Sequence, residues 1–203
     1  MRKIIRLLNV LFLALALFLL STLIADNQTL KNDIIRLHVV GASDSDQDQN
    51  IKLAVKDAIT DYIEKNLDNV SNAQQAKACL QEHMSEIKTV AANTLMRLGS
   101  CDSVNISLAQ EAFGIRRYET FSLPSGVYES LRVEIGKAEG KNWWCVVFPS
   151  LCLPASQDGF QDVAASAGMN PGLANSLSNN REYNIRFFLL DCLGKFENLF
   201  FFS

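Results

Sequence analysis

The strongest constraint on this chain sits at its start, where Arg2, Lys3 and Arg6 precede an almost unbroken apolar run from Leu7 to Ala25, interrupted only by Asn9, Ser21 and Thr22. As a helix rising ~1.5 Å per residue, about 19 residues cover roughly 28 Å, close to the hydrocarbon thickness of a bilayer. A buried core helix is the alternative, but the basic flank and the lack of polar periodicity favour an export element. Asp26, Asn27 and Gln28 follow the run with no basic residue among them, which places the N-terminus in the cytoplasm and everything downstream outside. Ala25 offers a signal peptidase a small residue, whereas Leu23 makes a poor small-x-small site. Residues 1–25 are therefore read as a signal peptide or as a retained N-terminal membrane anchor.

Export changes the meaning of Cys79, Cys101, Cys145, Cys152 and Cys192, because disulfides persist outside the reducing cytosol. An odd count leaves at least one free thiol. Cys145 and Cys152 are the expected pair, close in sequence with Pro149 between them. No Cys-x-x-Cys is present, so neither a redox pair nor a zinc knuckle is indicated, and no metal or cofactor is expected. A formal net charge of -3 argues against the basic footprint of a nucleic-acid binder.

Residues 26–33 are polar and read as a linker to a single exported domain, 34–203. The domain opens with Ile34-Ile35-Arg36-Leu37-His38-Val39-Val40, a strand by length and β-branched content, ending at Gly41. Apolar residues at Ile51, Val55, Ala58, Ile59, Tyr62 and Ile63 then mark a helix over roughly 47–66. A second helix is expected from a Ser71/Gln74 capping box to Gly99, with Ala76, Leu80, Met84, Ile87, Ala91 and Leu95 on one stripe. From Val104 the apolar period falls to two. Tyr118–Leu123 leads through Pro124-Ser125-Gly126 into Val127–Ile135, read as a hairpin, and Trp143–Phe148 is a further strand covered on both faces. A short helix is expected around Gln161–Ala167, and Ile185–Phe202 reads as a strand entering an amphipathic helix. Its Phe200-Phe201-Phe202 end is expected to pack on the domain rather than to touch a membrane or partner. The class is α+β: a mixed or mostly antiparallel sheet of about four to six strands, covered by two N-terminal amphipathic helices, plus a C-terminal helix.

Three constellations invite chemistry. Asp44, Asp46 and Asp48 alternate like a calcium loop, but Gln49 stands where an EF-hand needs glycine and Val55 where it needs glutamate, so they read as helix-capping acids. His38 and Cys145 could form a thiol–imidazole pair, although the apolar bulk of Trp143, Trp144 and Val146 disfavours a thiolate. Glu129 shares a strand face with Val127, Leu131, Val133 and Ile135, and an ion pair with Arg116 or Arg117 is expected to satisfy it. No Gly-x-Ser-x-Gly, no His-Glu-x-x-His and no phosphate-cradling glycine loop occurs, so no catalytic residues are assigned.

Three stretches go further. Ile35-Arg36-Leu37-His38-Val39-Val40-Gly41-Ala42-Ser43-Asp44-Ser45-Asp46-Gln47-Asp48-Gln49, followed by Lys52 and Lys56-Asp57, resembles the opening motif of the stage II sporulation protein R family of spore-forming bacteria. Leu123–Gly136 and Gly140–Cys152 resemble its later motifs, so the family-like core is 34–152. Gly41-Ala42 and Ser150 depart from the pattern in loops, and the tail resembles the family only around Glu182–Phe187. The resemblance implies a non-enzymatic signal, exported into the space between forespore and mother cell. There it would activate a membrane-embedded sporulation aspartic protease that leads to pro-sigma-E processing. The implied partners are that protease and, through residues 1–25, the membrane, with no nucleic acid and no small-molecule substrate. The partner-binding surface is expected near Arg36, His38 and Asp44, with Glu129 as a further candidate. An exported thiol hydrolase, or an envelope-binding module that stacks sugars on Trp143 and Trp144, is the competing expectation.

Overall fold

A computed structural model of the chain describes residues 2–66, 70–118, 121–149, 164–165, 169, 171–178 and 185–201. The apolar run is the exposed part of one long helix, α1 (Arg2–Asp33), long and apolar enough to cross a membrane. The helix does not stop at Ala25. Residues 26–33, expected as a linker, form its last two turns, with Asn27 and Leu30 buried against the domain. Only Ile34 separates α1 from strand β1 (Ile35–Val40).

After β1, the Ser45 hydroxyl accepts the Asp48 backbone N–H at 3.1 Å and starts α2 (Asp46–Asn66). Asp46 and Asp48 lie in its first turn, where a carboxylate favours the helix dipole. The single helix expected over 71–98 is two, α3 (Ala73–Glu82) and α4 (Met84–Arg97), broken at His83. The cap is also one residue later than read. Asn72 accepts the Gln75 N–H at 2.9 Å, and Ser71 donates to the Gln75 side chain. Gly99, at φ 75°, closes α4 as expected of a left-handed C-terminal glycine, with the Ser100 N–H on the Leu95 carbonyl.

The chain then forms β2 (Val104–Phe113), β3 (Arg116–Arg117), β4 (Ser122–Leu123), β5 (Gly126–Ile135) and β6 (Asn142–Phe148). The main sheet is mixed, in the order β2-β5-β1-β6, with β1 parallel to β5 and the other neighbours antiparallel. The expected hairpin through Pro124-Ser125-Gly126 does not form: β4 pairs with β3 in a separate two-stranded sheet, and β5 pairs with β2 and β1. A ten-residue ladder from Val104–Ile135 to Phe113–Gly126 outcompetes a short local pairing because it buries a whole strand face.

Alternation of side chains splits the core in two. Leu37 and Val39, Leu131, Val133 and Ile135, and Cys145 and Val147 face α2, α3 and α4 and meet Val55, Ile59, Leu80, Ile87 and Leu95. The opposite face packs on the end of α1, on α5 (Pro171–Leu177) and on α6 (Ile185–Phe201), through Leu30, Phe113, Tyr128, Val146, Leu173 and Leu190. The fold is therefore α+β in three layers. The segment from Ile185, expected to begin as a strand, is helical throughout. Of the helix expected at 161–167, only Ala164 and Ala165 lie among the described residues, and both are helical.

Candidate functional site

The β1 residues Arg36 and His38 point away from α2–α4 onto the second face, and both are buried there. The Arg36 guanidinium lies 3.9 Å from the centre of the Phe113 ring and 5.3 Å from that of Tyr128, and one of its Nη atoms donates to the Tyr118 hydroxyl at 3.2 Å. Its Nε and other Nη have no hydrogen-bond partner among the described residues. Burial pulls the guanidinium pKa down, partly offset by Tyr118 and Tyr128. Two ring faces supply attraction to the cation but leave donors unmatched, so Arg36 is held at a cost in desolvation. Methionine fills similar space without those donors. Arg36→Met should fold with unchanged or higher stability, by up to about 2 kcal/mol on the precedent of buried charges replaced by apolar residues. A urea midpoint well below wild type would show instead that the guanidinium stabilises the fold.

His38 anchors a charged network one register step along. Its ring stacks on Trp144, with centroids 3.6 Å apart, and Nδ1 lies 2.7 Å from Glu111 Oε1. Arg132 reaches the same oxygen at 2.6 Å and Glu134 Oε1 at 2.9 Å. Burial pushes the Glu111 carboxyl up, but the hydrogen bond with His38 and the charge of Arg132 outweigh it and hold the group below the ordinary carboxylate range. Glu134 is held low chiefly by its hydrogen bond from Arg132. A depressed folded pKa contributes stability at pH values above the unfolded value of about 4.3, and that stability is lost as pH falls through the folded value. Unfolding midpoints should therefore be level from pH 7 to about 5 and drop on further acidification. Glu111→Gln should lower the neutral midpoint and flatten that drop; an unchanged acid limb would dissociate the network from stability.

Glu129 faces the other way, toward α3, and Lys77 donates to its Oε1 at 2.7 Å. Arg116, expected as its partner, lies across the sheet with its guanidinium 4.9 Å from the Trp144 ring centre. The reason is parity: Glu129 shares the helix-side face with Val127 and Leu131, where α3 brings a lysine. Glu129 Oε2 is buried with no hydrogen-bond partner among the described residues, at a cleft of about 490 Å³ lined also by Lys31, Asn72, Lys77, Gln110 and Glu197. Lys31 pairs with Glu197 there, so the charges in the cleft balance. The described lining holds no hydroxyl, thiol or imidazole. Asp44 is exposed and accepts the Lys141 backbone N–H at 2.7 Å, which joins the β1–α2 loop to the start of β6.

The four expected partner-binding residues thus fall in three places: Arg36 and His38 inside the second face, Glu129 at the cleft, Asp44 on a surface loop. His38 and Cys145 lie on opposite faces of the sheet, since Cys145 packs with Leu37 and Val147 toward α2–α4. Cys145 is disulfide-bonded, while Cys79, Cys101 and Cys192 are free thiols; the expected partner Cys152 lies outside the described residues. Trp143 and Trp144 also point to opposite faces, with the Lys56 ammonium over one ring and the other stacked on His38, so they make no shared stacking platform. Among the described residues no group of three His, Cys, Asp or Glu side chains could hold a metal ion.

Residues 31–158, which include β1 to β6 with Arg36, His38, Asp44, Glu111 and Glu129, match the family described as stage II sporulation protein R (spore_II_R). The chain belongs to that family. It is 32% identical over 130 residues to stage II sporulation protein R of Bacillus subtilis (strain 168), a match covering 63% of this chain and 58% of that protein. Less than two thirds of the relative is therefore spanned. No solved structure matches the chain. Membership places the chain among sporulation proteins. The stage II sporulation protein R match ends before α5 and α6, which lie outside it.

Glu111, Arg132 and Glu134 escaped the sequence reading. Glu111 lies 73 residues from His38, and only the order β2-β5-β1 brings the two together. The signal available was period-two alternation, which puts Glu111 on the same β2 face as Phe113.

Proposed function

We propose that this chain is an exported signalling protein of endospore formation, which acts as a protein ligand for a membrane-embedded aspartic protease and so leads to pro-sigma-E processing. The observation that supports this reading most is the pairing of the family's domain with a membrane-length helix that continues straight into it. A signal that crosses one membrane and works at the surface of another needs an export element and a stable folded domain, and needs no active site. A ligand of this kind activates its target only by binding the active state more tightly than the inactive one. The cleft at Glu129, whose Oε2 has no hydrogen-bond partner among the described residues, is the place where a partner's donor gains most, because it would satisfy a buried acceptor. Asp44 is the second candidate contact, and His38 acts from beneath by tying β1 to Glu111 of β2.

The thiol-hydrolase reading has less support: the imidazole and the sulfur lie on opposite faces of the sheet, and the sulfur is engaged in a disulfide. The test is processing of the pro-sigma factor in cells that contain the protease, with and without residues 26–203 exported. Processing only with the domain present is the expected result, with Glu129→Ala reducing it and Cys145→Ser reducing it only as far as stability falls. Equal processing with and without the domain, by a protease shown to be competent, would overturn the proposal.

A further inference from the structure

Helix α6 is built inside out for a domain surrounded by water. Most of its polar side chains face the protein: buried Asp191 accepts the Ser125 N–H at 2.9 Å, Arg186 Nε donates to Asp26 at 3.0 Å, Asn198 donates to the Phe113 carbonyl at 2.9 Å, and Glu197 pairs with Lys31, while Lys195 is exposed at the flank of the helix and pairs with Asp191. Leu190 is buried and Phe187 packs on the second core, but most of its apolar side chains face outward. Ile185, Phe188, Leu189, Phe196, Leu199 and Phe200 recur at three- and four-residue spacing along one stripe, and Phe196, Leu199 and Phe200 are each more than 60% exposed. A helix on a water-facing domain turns that stripe to the core, so the inversion indicates that the medium outside is not water.

The position of α6 says what that medium is. Arg186 is tied to Asp26, the first residue after the apolar run of α1, so the start of the stripe lies level with the end of the membrane-length segment. The second tie, Glu197 to Lys31, lies eleven residues further along α6 but only five along α1. At ~1.5 Å per residue these are roughly 16 Å and 7 Å, so α6 crosses α1 obliquely and its far end rises little above the level of Asp26. The paired charges leave little on the outer side to resist contact with an apolar boundary, and phenylalanine is a common residue on the apolar face of interfacial helices.

We infer that α6 is an interfacial helix whose Ile185–Phe200 stripe lies in the lipid headgroup and acyl boundary beside α1, holding the domain against the bilayer surface. This rests on α1 residing in the membrane, and it concerns a segment outside the family match. It assigns to the C-terminal tail a role in membrane docking, beside the cleft at Glu129 that Glu197 also lines.

Cys192 sits on the same stripe as an exposed free thiol and serves as the reporter. The full chain carrying Cys79→Ser and Cys101→Ser is labelled at Cys192 with an environment-sensitive fluorophore, mass mapping confirms a single label, and the chain is reconstituted in phosphatidylcholine–phosphatidylglycerol vesicles. A second sample carries the label instead at Leu13→Cys, within α1. The expected result is a Cys192 label quenched by lipids bearing a shallow nitroxide and shielded from aqueous iodide, with Phe188→Ser/Phe196→Ser restoring iodide access. A Cys192 label open to iodide while the Leu13 label is quenched by deep nitroxides would overturn the interfacial helix and leave the membrane anchor standing. Both labels open to iodide would overturn both. Shielding without lipid quenching, growing with the protein density on the vesicle, would assign the stripe to a second copy of the chain and also overturn the lipid reading.

Discussion

Alanine at Gly194 is expected to release α6 from the domain. A Cβ built there would lie 1.6 Å from the Ser125 carbonyl oxygen and 2.3 Å from its carbon, both backbone atoms that cannot swing aside. The same approach lets Asp191 reach the Ser125 N–H, so backing the helix away also strands a buried carboxylate. Overpacking of this kind costs about 3 kcal/mol. The loss should be seen as a lower urea midpoint and as new protease cleavage within residues 185–201. Gly114, where an added Cβ meets nothing within 4 Å, is the control, and its alanine variant should stay within about 1 kcal/mol of wild type. Equal behaviour of the two variants would mean that α6 is not seated on the Ser125 turn.

Leu131→Ala is expected to have the largest effect on the domain itself. Leu131 is fully buried in the middle of β5, opposite Leu37 on one side and Leu108 on the other, and it sits in the core beneath α2–α4. Truncating a buried leucine removes both its transfer free energy and its packing, typically about 2–5 kcal/mol. A central strand hemmed in by neighbours on both edges collapses poorly around the void, which favours the upper part of that range. Urea unfolding with an unchanged slope would measure it. A shift under about 1 kcal/mol would mean that the sheet and helices are packed less tightly than described.

The contrast between these sites shows what was legible in the chain. The strands β1, β2 and β6 announced themselves by β-branched runs or by period-two alternation, and α2 by its 3.6-residue stripe, because each buries a face through its own residues. Misreadings arose where a distant partner decides. Residues 26–33 look like a polar linker until Asp26 meets Arg186 and Leu30 enters the second core. The aromatic start of α6 looks like a strand because a stripe turned outward carries the same composition as one turned inward. The break at His83 interrupts an otherwise continuous stripe, and its Nδ1 lies 2.8 Å from the Tyr62 hydroxyl of α2, a contact no local pattern encodes. For the candidate site, Glu129 was singled out as a carboxylate on an apolar strand face, and Arg36 and His38 as members of an expected partner-binding surface. Their surroundings were not: charge suggested surface for Arg36 and His38, whereas two aromatic rings and a carboxylate from β2 let them lie inside.

The junction between α1 and β1 bears on how a partner would find this domain. Eight flexible residues would let it wander over roughly 15 Å from its point of attachment, presenting every side in turn. The last two turns of α1 instead form a stiff post of about 12 Å that ends, after Ile34, in the central part of the sheet. With the helix in a bilayer, the domain stands at one height and in one attitude, free only to slide and to spin about the membrane normal. An encounter with another membrane-bound protein then becomes a two-dimensional search between surfaces already facing each other. On the proposed reading, with the protease in a facing membrane, the distance between the two membranes rather than the length of a tether would decide whether they meet.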